Sequence, residues 1–121
     1  MNDKKHGIGL FHAIKGIGSA FLSERNFRIH SIAAVFAIGA GFLLRINRLE
    51  WMILVVVIGL VLQAELLNTA AEKLIDYIKP EFHPVAGLVK DVAAGAVLIA
   101  ALAAFAIGLL LFVPKLYDIF F

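Results

Sequence analysis

The chain has 121 residues, 62% of them hydrophobic, and a mean hydropathy of +0.95, where a soluble domain carries roughly 45–50% apolar residues. One domain of this length has too little interior to hide such a surface, so much of it must face lipid, which excludes a water-soluble globule and a disordered chain. Eleven Lys+Arg against nine Asp+Glu leave a formal charge of +2, too small a surplus to point to nucleic acid. With no cysteine there is no disulfide framework, thiolate zinc site or cysteine nucleophile.

Residues 1–28 carry five basic side chains, Lys4, Lys5, Lys15, Arg25 and Arg28. They lack the uninterrupted apolar core and small-residue cleavage site of a secretory signal peptide, so this segment is expected to stay on the protein. Ile8, Phe11, Ile14, Ile17 and Phe21 recur at three- and four-residue steps with polar residues between them. That spacing predicts an amphipathic helix over about 7–24 lying along the membrane surface.

Three apolar stretches follow, Ser31 to Leu44, Trp51 to Ala64 and Val92 to Val113. The last satisfies the requirement of ~20 residues unaided, while the first two cover only ~21 Å of a ~30 Å hydrocarbon core. Both must extend into polar sequence, the first back toward Arg28 and Glu24, the second forward through Glu65, Leu66 and Leu67. The expected membrane helices are therefore about 29–46, 50–70 and 86–113. Three crossings put residues 1–30 and 65–91 on one side with eight basic residues, against three in the 45–50 loop and the tail. This asymmetry places the amino terminus and the 65–91 segment in the cytoplasm.

Small residues recur every four positions at Ala33, Ala37 and Gly41, and at Ala96, Ala100, Ala104 and Gly108. Such stripes let helix backbones approach closely, within a chain or between copies; lipid-facing alanine is the alternative. Trp51 and Tyr117 stand near span ends, as in an aromatic belt. The two-residue repeat of barrel strands is absent, so the fold class is an all-α multi-pass membrane protein.

Five of the nine acidic residues fall in Glu65 to Asp91. At about 100° per residue, Glu72 lies ~20° behind Glu65, Asp76 ~20° ahead, Asn68 ~60° behind and Thr69 ~40° ahead. Three carboxylates, an amide and a hydroxyl are thus expected on one helix face. In a soluble helix this would be a solvated face. Here Glu65 follows fourteen apolar residues interrupted only by Gln63, and an ionisable group at that depth is a functional candidate. Clustered carboxylates call for a cation or a shared proton, and an all-oxygen set with retained waters suits Mg²⁺ better than zinc. Glu65 is a candidate general base for a hydroxyl presented from the bilayer. Lys90, at the start of the third span, is either a phosphate partner or a snorkelling flank residue.

No Walker loop or soluble-kinase signature occurs. The run from Glu65 through Leu66-Leu67-Asn68-Thr69-Ala70-Ala71-Glu72-Lys73-Leu74-Ile75 to Asp76 resembles the signature of the prokaryotic diacylglycerol kinase family, small integral membrane lipid kinases. The likeness extends to Glu24-Arg25-Asn26-Phe27-Arg28, His83-Pro84 and Lys90-Asp91-Val92-Ala93-Ala94-Gly95-Ala96-Val97, and covers nearly the whole chain. Within the family, Ser23 to His30, Asn68-Thr69, His83-Pro84 and Phe112 to Leu116 resemble the Gram-positive branch of undecaprenol kinases. Ala71 departs from the larger aliphatic residue usual there.

The resemblance implies a surface helix with three transmembrane helices, a homotrimer with sites between protomers, and transfer of the ATP γ-phosphate to a lipid hydroxyl. The lipid would be undecaprenol or, as the alternative, diacylglycerol. It also implies Glu65 as catalytic base, Asn68 as a second catalytic residue supporting the site, Glu24 and Glu72 as holders of Mg²⁺, and His12, Glu81, Phe82, His83, Lys90 and Asp91 as nucleotide contacts. From the residues alone Glu24 reads instead as a salt-bridge partner and His83 as a turn residue. A reading of another class is a non-catalytic membrane oligomer, an ion pathway lined by Glu65, Glu72 and Asp76.

Overall fold

A computed structural model describes residues 4–121, with side chains from residue 7 onward. Four helices follow one another: α1 (Lys4–Ser23), α2 (Arg25–Leu43), α3 (Arg48–Ile78) and α4 (Pro84–Phe120). α2, α3 and α4 are each long and apolar enough to cross a membrane. α3 lies at the centre, packed most extensively along α4 and then along α2, with α1 touching α2 and α3.

The helix ends differ from those expected. α2 starts and ends earlier than 29–46, α3 runs to Ile78 rather than 70, and α4 runs to Phe120 rather than 113. The apolar run of α3 ends near Ala64, but Ala70, Ala71, Glu72, Lys73 and Leu74 are strong helix formers. Hydropathy therefore stops before helicity does, and the helix ends only beside Pro80. α4 continues past Pro114, whose missing N–H leaves a single gap in an otherwise continuous ladder.

α1 gives way to α2 at one residue, Glu24, whose backbone is extended (φ −112°, ψ 111°). Arg28 reaches back across this joint, its Nη1 donating to the carbonyls of Phe21 at 3.0 Å and Leu22 at 2.9 Å. A cation there satisfies carbonyls left open at the end of α1 and meets the negative end of its dipole. The stripe of Ile8, Phe11, Ile14, Ile17 and Phe21 stays uncovered by the rest of the chain.

The α2–α3 connection is short and tightly made. Arg45 takes a left-handed conformation (φ 54°), with its N–H donating to Phe42 O at 3.3 Å and that of Ile46 to Gly41 O at 3.1 Å. This is a Schellman ending with an arginine where glycine is usual. Gly41 is required by its surroundings: a Cβ there would lie 2.8 Å from Trp51 Cη2 and 3.1 Å from Ile46 Cδ1. Asn47 and Glu50 then form a reciprocal capping box, each side chain accepting the other's backbone N–H at 2.9 Å. Lys115 of α4 adds an ion pair to Glu50 at 3.0 Å.

The buried centre consists of Ile46, Leu54, Val57 and Leu111, with Ala37, Trp51, Ile58, Ala104, Ile107 and Phe112 around it. The small-residue stripes turn inward in part. Gly41 is buried and Ala37, Ala100, Ala104 and Gly108 half-buried, whereas Ala33 and Ala96 are exposed. Between α2 and α4, over α3, the stripes border an apolar groove of ≈530 Å³ whose polar boundary includes His30.

Candidate active site

The site is built on the stretch of α3 that leaves the apolar region. Heptad-like spacing puts Glu65 and Thr69 on the face turned toward α2, and both are buried, Glu65 to 2% exposure. Asn68 and Glu72 flank them half-buried, and Asn68 Nδ2 donates to Glu72 Oε1 at 3.4 Å. Four of the five polar residues expected on one face are therefore buried or half-buried.

Asp76, the fifth, continues that face along the same helix; it is exposed and paired with Lys90 of α4. The pair ties α3 to α4 across the connecting residues 79–83, and it sets Lys90 beside the carboxylate face.

Glu24 arrives from the α1–α2 joint. It occupies the N-cap position of α2 without making a side-chain cap, and its Oε1 stands 3.8 Å from Lys73 Nζ of α3. A carboxylate at an uncapped helix start would ordinarily accept its own backbone N–H groups; this one points to α3 instead. Through Lys73 the Glu24 carboxylate is brought to the turn of α3 that also carries Glu72.

Two buried oxygens there lack a hydrogen-bond partner, Glu65 Oε1 and Asn68 Oδ1. Buried polar atoms are nearly always satisfied, so each of these two oxygens calls for a donor that the described residues do not supply in this arrangement. His30 of α2 has its Nε2 3.2 Å from Glu65 Oε1, but its N–H is not aligned for a hydrogen bond.

Among the described residues no three His, Asp or Glu side chains gather around a common point. Mg²⁺ needs fewer, since it is held by one or two carboxylates together with waters and substrate phosphates. Glu24 and Glu72 are oxygen donors of the kind Mg²⁺ takes, each half-buried and held by one long contact, to Lys73 and Asn68 respectively.

Five of the remaining expected residues lie in or just after the α3–α4 connection. Glu81 and Phe82 lie in the α3–α4 connection, where Glu81 pairs with Lys79 at 3.4 Å and Phe82 is fully presented to solvent. His83 caps α4, its Nδ1 accepting from Val85 N at 3.1 Å ahead of Pro84 in the first turn. Lys90 and Asp91 are in the second turn of α4. His12 stands apart on α1, its ring edge-on to Phe11. His30 is the residue that spacing along α3 cannot reveal: it belongs to another helix, and its signal is an ionisable side chain just inside the inner end of the first span.

Residues 11–112 match the family of prokaryotic diacylglycerol kinases. Over 105 residues the chain is 46% identical to the undecaprenol kinase of Bacillus subtilis, a match covering 87% of this chain and 85% of that one. It is 40% identical over 113 residues to a diacylglycerol kinase of Synechocystis, spanning 93% of this chain and 65% of the relative. With the diacylglycerol kinase of Escherichia coli it shares 33% over 90 residues, 74% of each. An all-helical chain with three apolar spans and a buried glutamate at their polar edge, matched over this length, belongs to the prokaryotic diacylglycerol kinase family and is a lipid kinase.

Proposed function

We propose that the chain phosphorylates undecaprenol at the expense of ATP, with Glu65 as the general base. One observation carries the assignment of the base. Glu65 is almost completely buried at the polar end of the apolar run of α3, with the half-buried Asn68 and Glu72 flanking it on the same helix. The likeness to the undecaprenol kinase of Bacillus subtilis over most of both chains supports the choice of lipid.

In this reading the acceptor's hydroxyl comes from the bilayer while its hydrocarbon stays in lipid. Glu65 takes the hydroxyl proton as the alcohol oxygen bonds to the γ-phosphorus. The bond from that phosphorus to the β–γ bridging oxygen breaks, and ADP leaves. Glu24 and Glu72 would hold Mg²⁺, which when bound supplies charge neutralisation on the phosphates. Asn68 keeps Glu72 oriented through its amide. Lys90, Asp91, Glu81, Phe82, His83 and His12 serve as nucleotide contacts, and Lys90 can exchange Asp76 for phosphate oxygens. Positioning and charge neutralisation then carry most of the rate enhancement, without a phosphoenzyme.

Residues 1–121 act as a single membrane lipid kinase domain. α1 lies on the membrane surface through its uncovered apolar stripe, and the amino terminus and the 65–91 segment face the cytoplasm. Three copies assemble with sites between protomers, using the outward parts of the small-residue stripes at Ala33 and Ala96.

The test is phosphate transfer from ATP in lipid with undecaprenol and diacylglycerol competing. A higher kcat/KM for undecaprenol is expected. A preference for diacylglycerol reassigns the acceptor, and no transfer to either overturns the assignment of this chain to lipid-alcohol phosphorylation.

A further inference from the structure

His30 has no task in the transfer described above, yet it is the side chain that α2 delivers to Glu65, with Nε2 3.2 Å from Oε1. We propose that His30 is a positioning residue for Glu65, holding Oε1 from across the α2–α3 interface so that Oε2 is presented to the acceptor hydroxyl. The inference rests on Glu65 being the base.

Three observations converge on it. Glu65 Oε1 is buried and has no hydrogen bond, so it needs a donor, and the Asn68 amide is engaged with Glu72. The imidazole is half-shielded, with 27% of its side chain exposed, and it borders the apolar groove between α2 and α4, so it enters the site from the lipid side. Its Nε2 already stands within hydrogen-bond distance of that oxygen, and only the alignment of a bond is lacking. A carboxylate on a side chain with three rotatable bonds samples several orientations unless one oxygen is held. Fixing that oxygen from a second helix confines the other to a narrow arc, as the partner of a catalytic base does elsewhere.

The experiment uses the full chain in lipid bilayers with His30→Leu, which keeps volume and removes the donor, and His30→Gln, whose amide nitrogen can reach the place of Nε2. His30→Leu should lower kcat about 10–100-fold, the scale of an ångström-sized misplacement, with KM for MgATP unchanged. His30→Gln should recover most of the loss. The carboxylate infrared band of Glu65, identified as the difference from Glu65→Gln, should shift in His30→Leu and return toward its position in His30→Gln. Wild-type kcat in His30→Leu, or equal impairment of both variants with the Glu65 band unmoved, overturns the positioning role. The two readings fail separately: a well-folded Glu65→Gln enzyme with near wild-type turnover removes the base while His30 is untouched. An inactive Glu65→Gln with a fully active His30→Leu removes only His30.

Discussion

Two glutamates of α3 face a basic side chain on another helix, and the two ends of the molecule treat them in opposite ways. At one end Glu50 accepts the Asn47 backbone N–H at 2.9 Å and the Lys115 ammonium at 3.0 Å, and ordinary helix-ending motifs surround it. At the other end Glu65 is the more deeply buried, its neighbours include two further carboxylates, and the imidazole beside it is not aligned to donate. The first carboxylate is held by two contacts to Oε1, one from the N-cap of α3 and one from α4. The second is buried with an oxygen that no hydrogen bond satisfies, in a place where leaving it unused is costly, which is the condition expected of a working group rather than a structural one.

The sharpest way to break this contrast is to remove the open acceptor. Glu65→Gln keeps shape and volume, and kcat should fall by at least ~10²-fold with helix content and thermal unfolding in detergent unchanged. Removing Glu50's carboxylate in the same way should leave kcat intact.

Next in size are the two carboxylates assigned to the metal. Glu24→Gln and Glu72→Gln should each raise the Mg²⁺ concentration for half-maximal rate by about tenfold or more, with partial rescue at high Mg²⁺. Initial rates across a Mg²⁺ titration decide it, and two variants with wild-type rate and Mg²⁺ dependence would exclude that assignment.

At the completed end the consequences are for stability alone. Gly41→Ala gains helix propensity but pushes a methyl into the Trp51 ring at 2.8 Å. The net effect should be a loss of about 1–3 kcal/mol, read as a lower thermal midpoint with kcat retained at permissive temperature. Asn47→Ala removes half of the capping box and should cost about 1 kcal/mol, again without a change in kcat. A large kcat loss in either variant would show that the two ends are not independent.

The helices and the face around Glu65 are legible in the sequence because they depend on local periodicity. Apolar runs mark the spans, and angular spacing along α3 brings Asn68, Thr69 and Glu72 beside Glu65. Helix ends are less legible, since α3 is carried beyond its apolar run by residues whose helix propensity is independent of lipid. Asp76 shows what angle alone leaves out: it has the angle of Glu65 yet is exposed, and its partner, Lys90, comes from α4. Glu24 and His30 depend on how α2 lies against α3, which no spacing within one helix encodes. The family resemblance supplied a role for Glu24, and the approach of His30 to Glu65 emerges only once the two helices are packed.

The tight turn between α2 and α3 makes that pair of helices a lever. Gly41, wedged against Trp51, is the fulcrum, and His30 stands eleven positions away along α2, about 16 Å from it at 1.5 Å per residue. A tilt of about 5° between the helices therefore moves His30 by roughly 1.4 Å relative to Glu65, a displacement comparable with the difference between an aligned hydrogen bond and a missed one. Helices adjust their tilt to the thickness of the bilayer. With the turn fixing one end of the pair and the Glu24–Lys73 contact at the other only a long one, a change in tilt would fall mainly on the contact between His30 and Glu65.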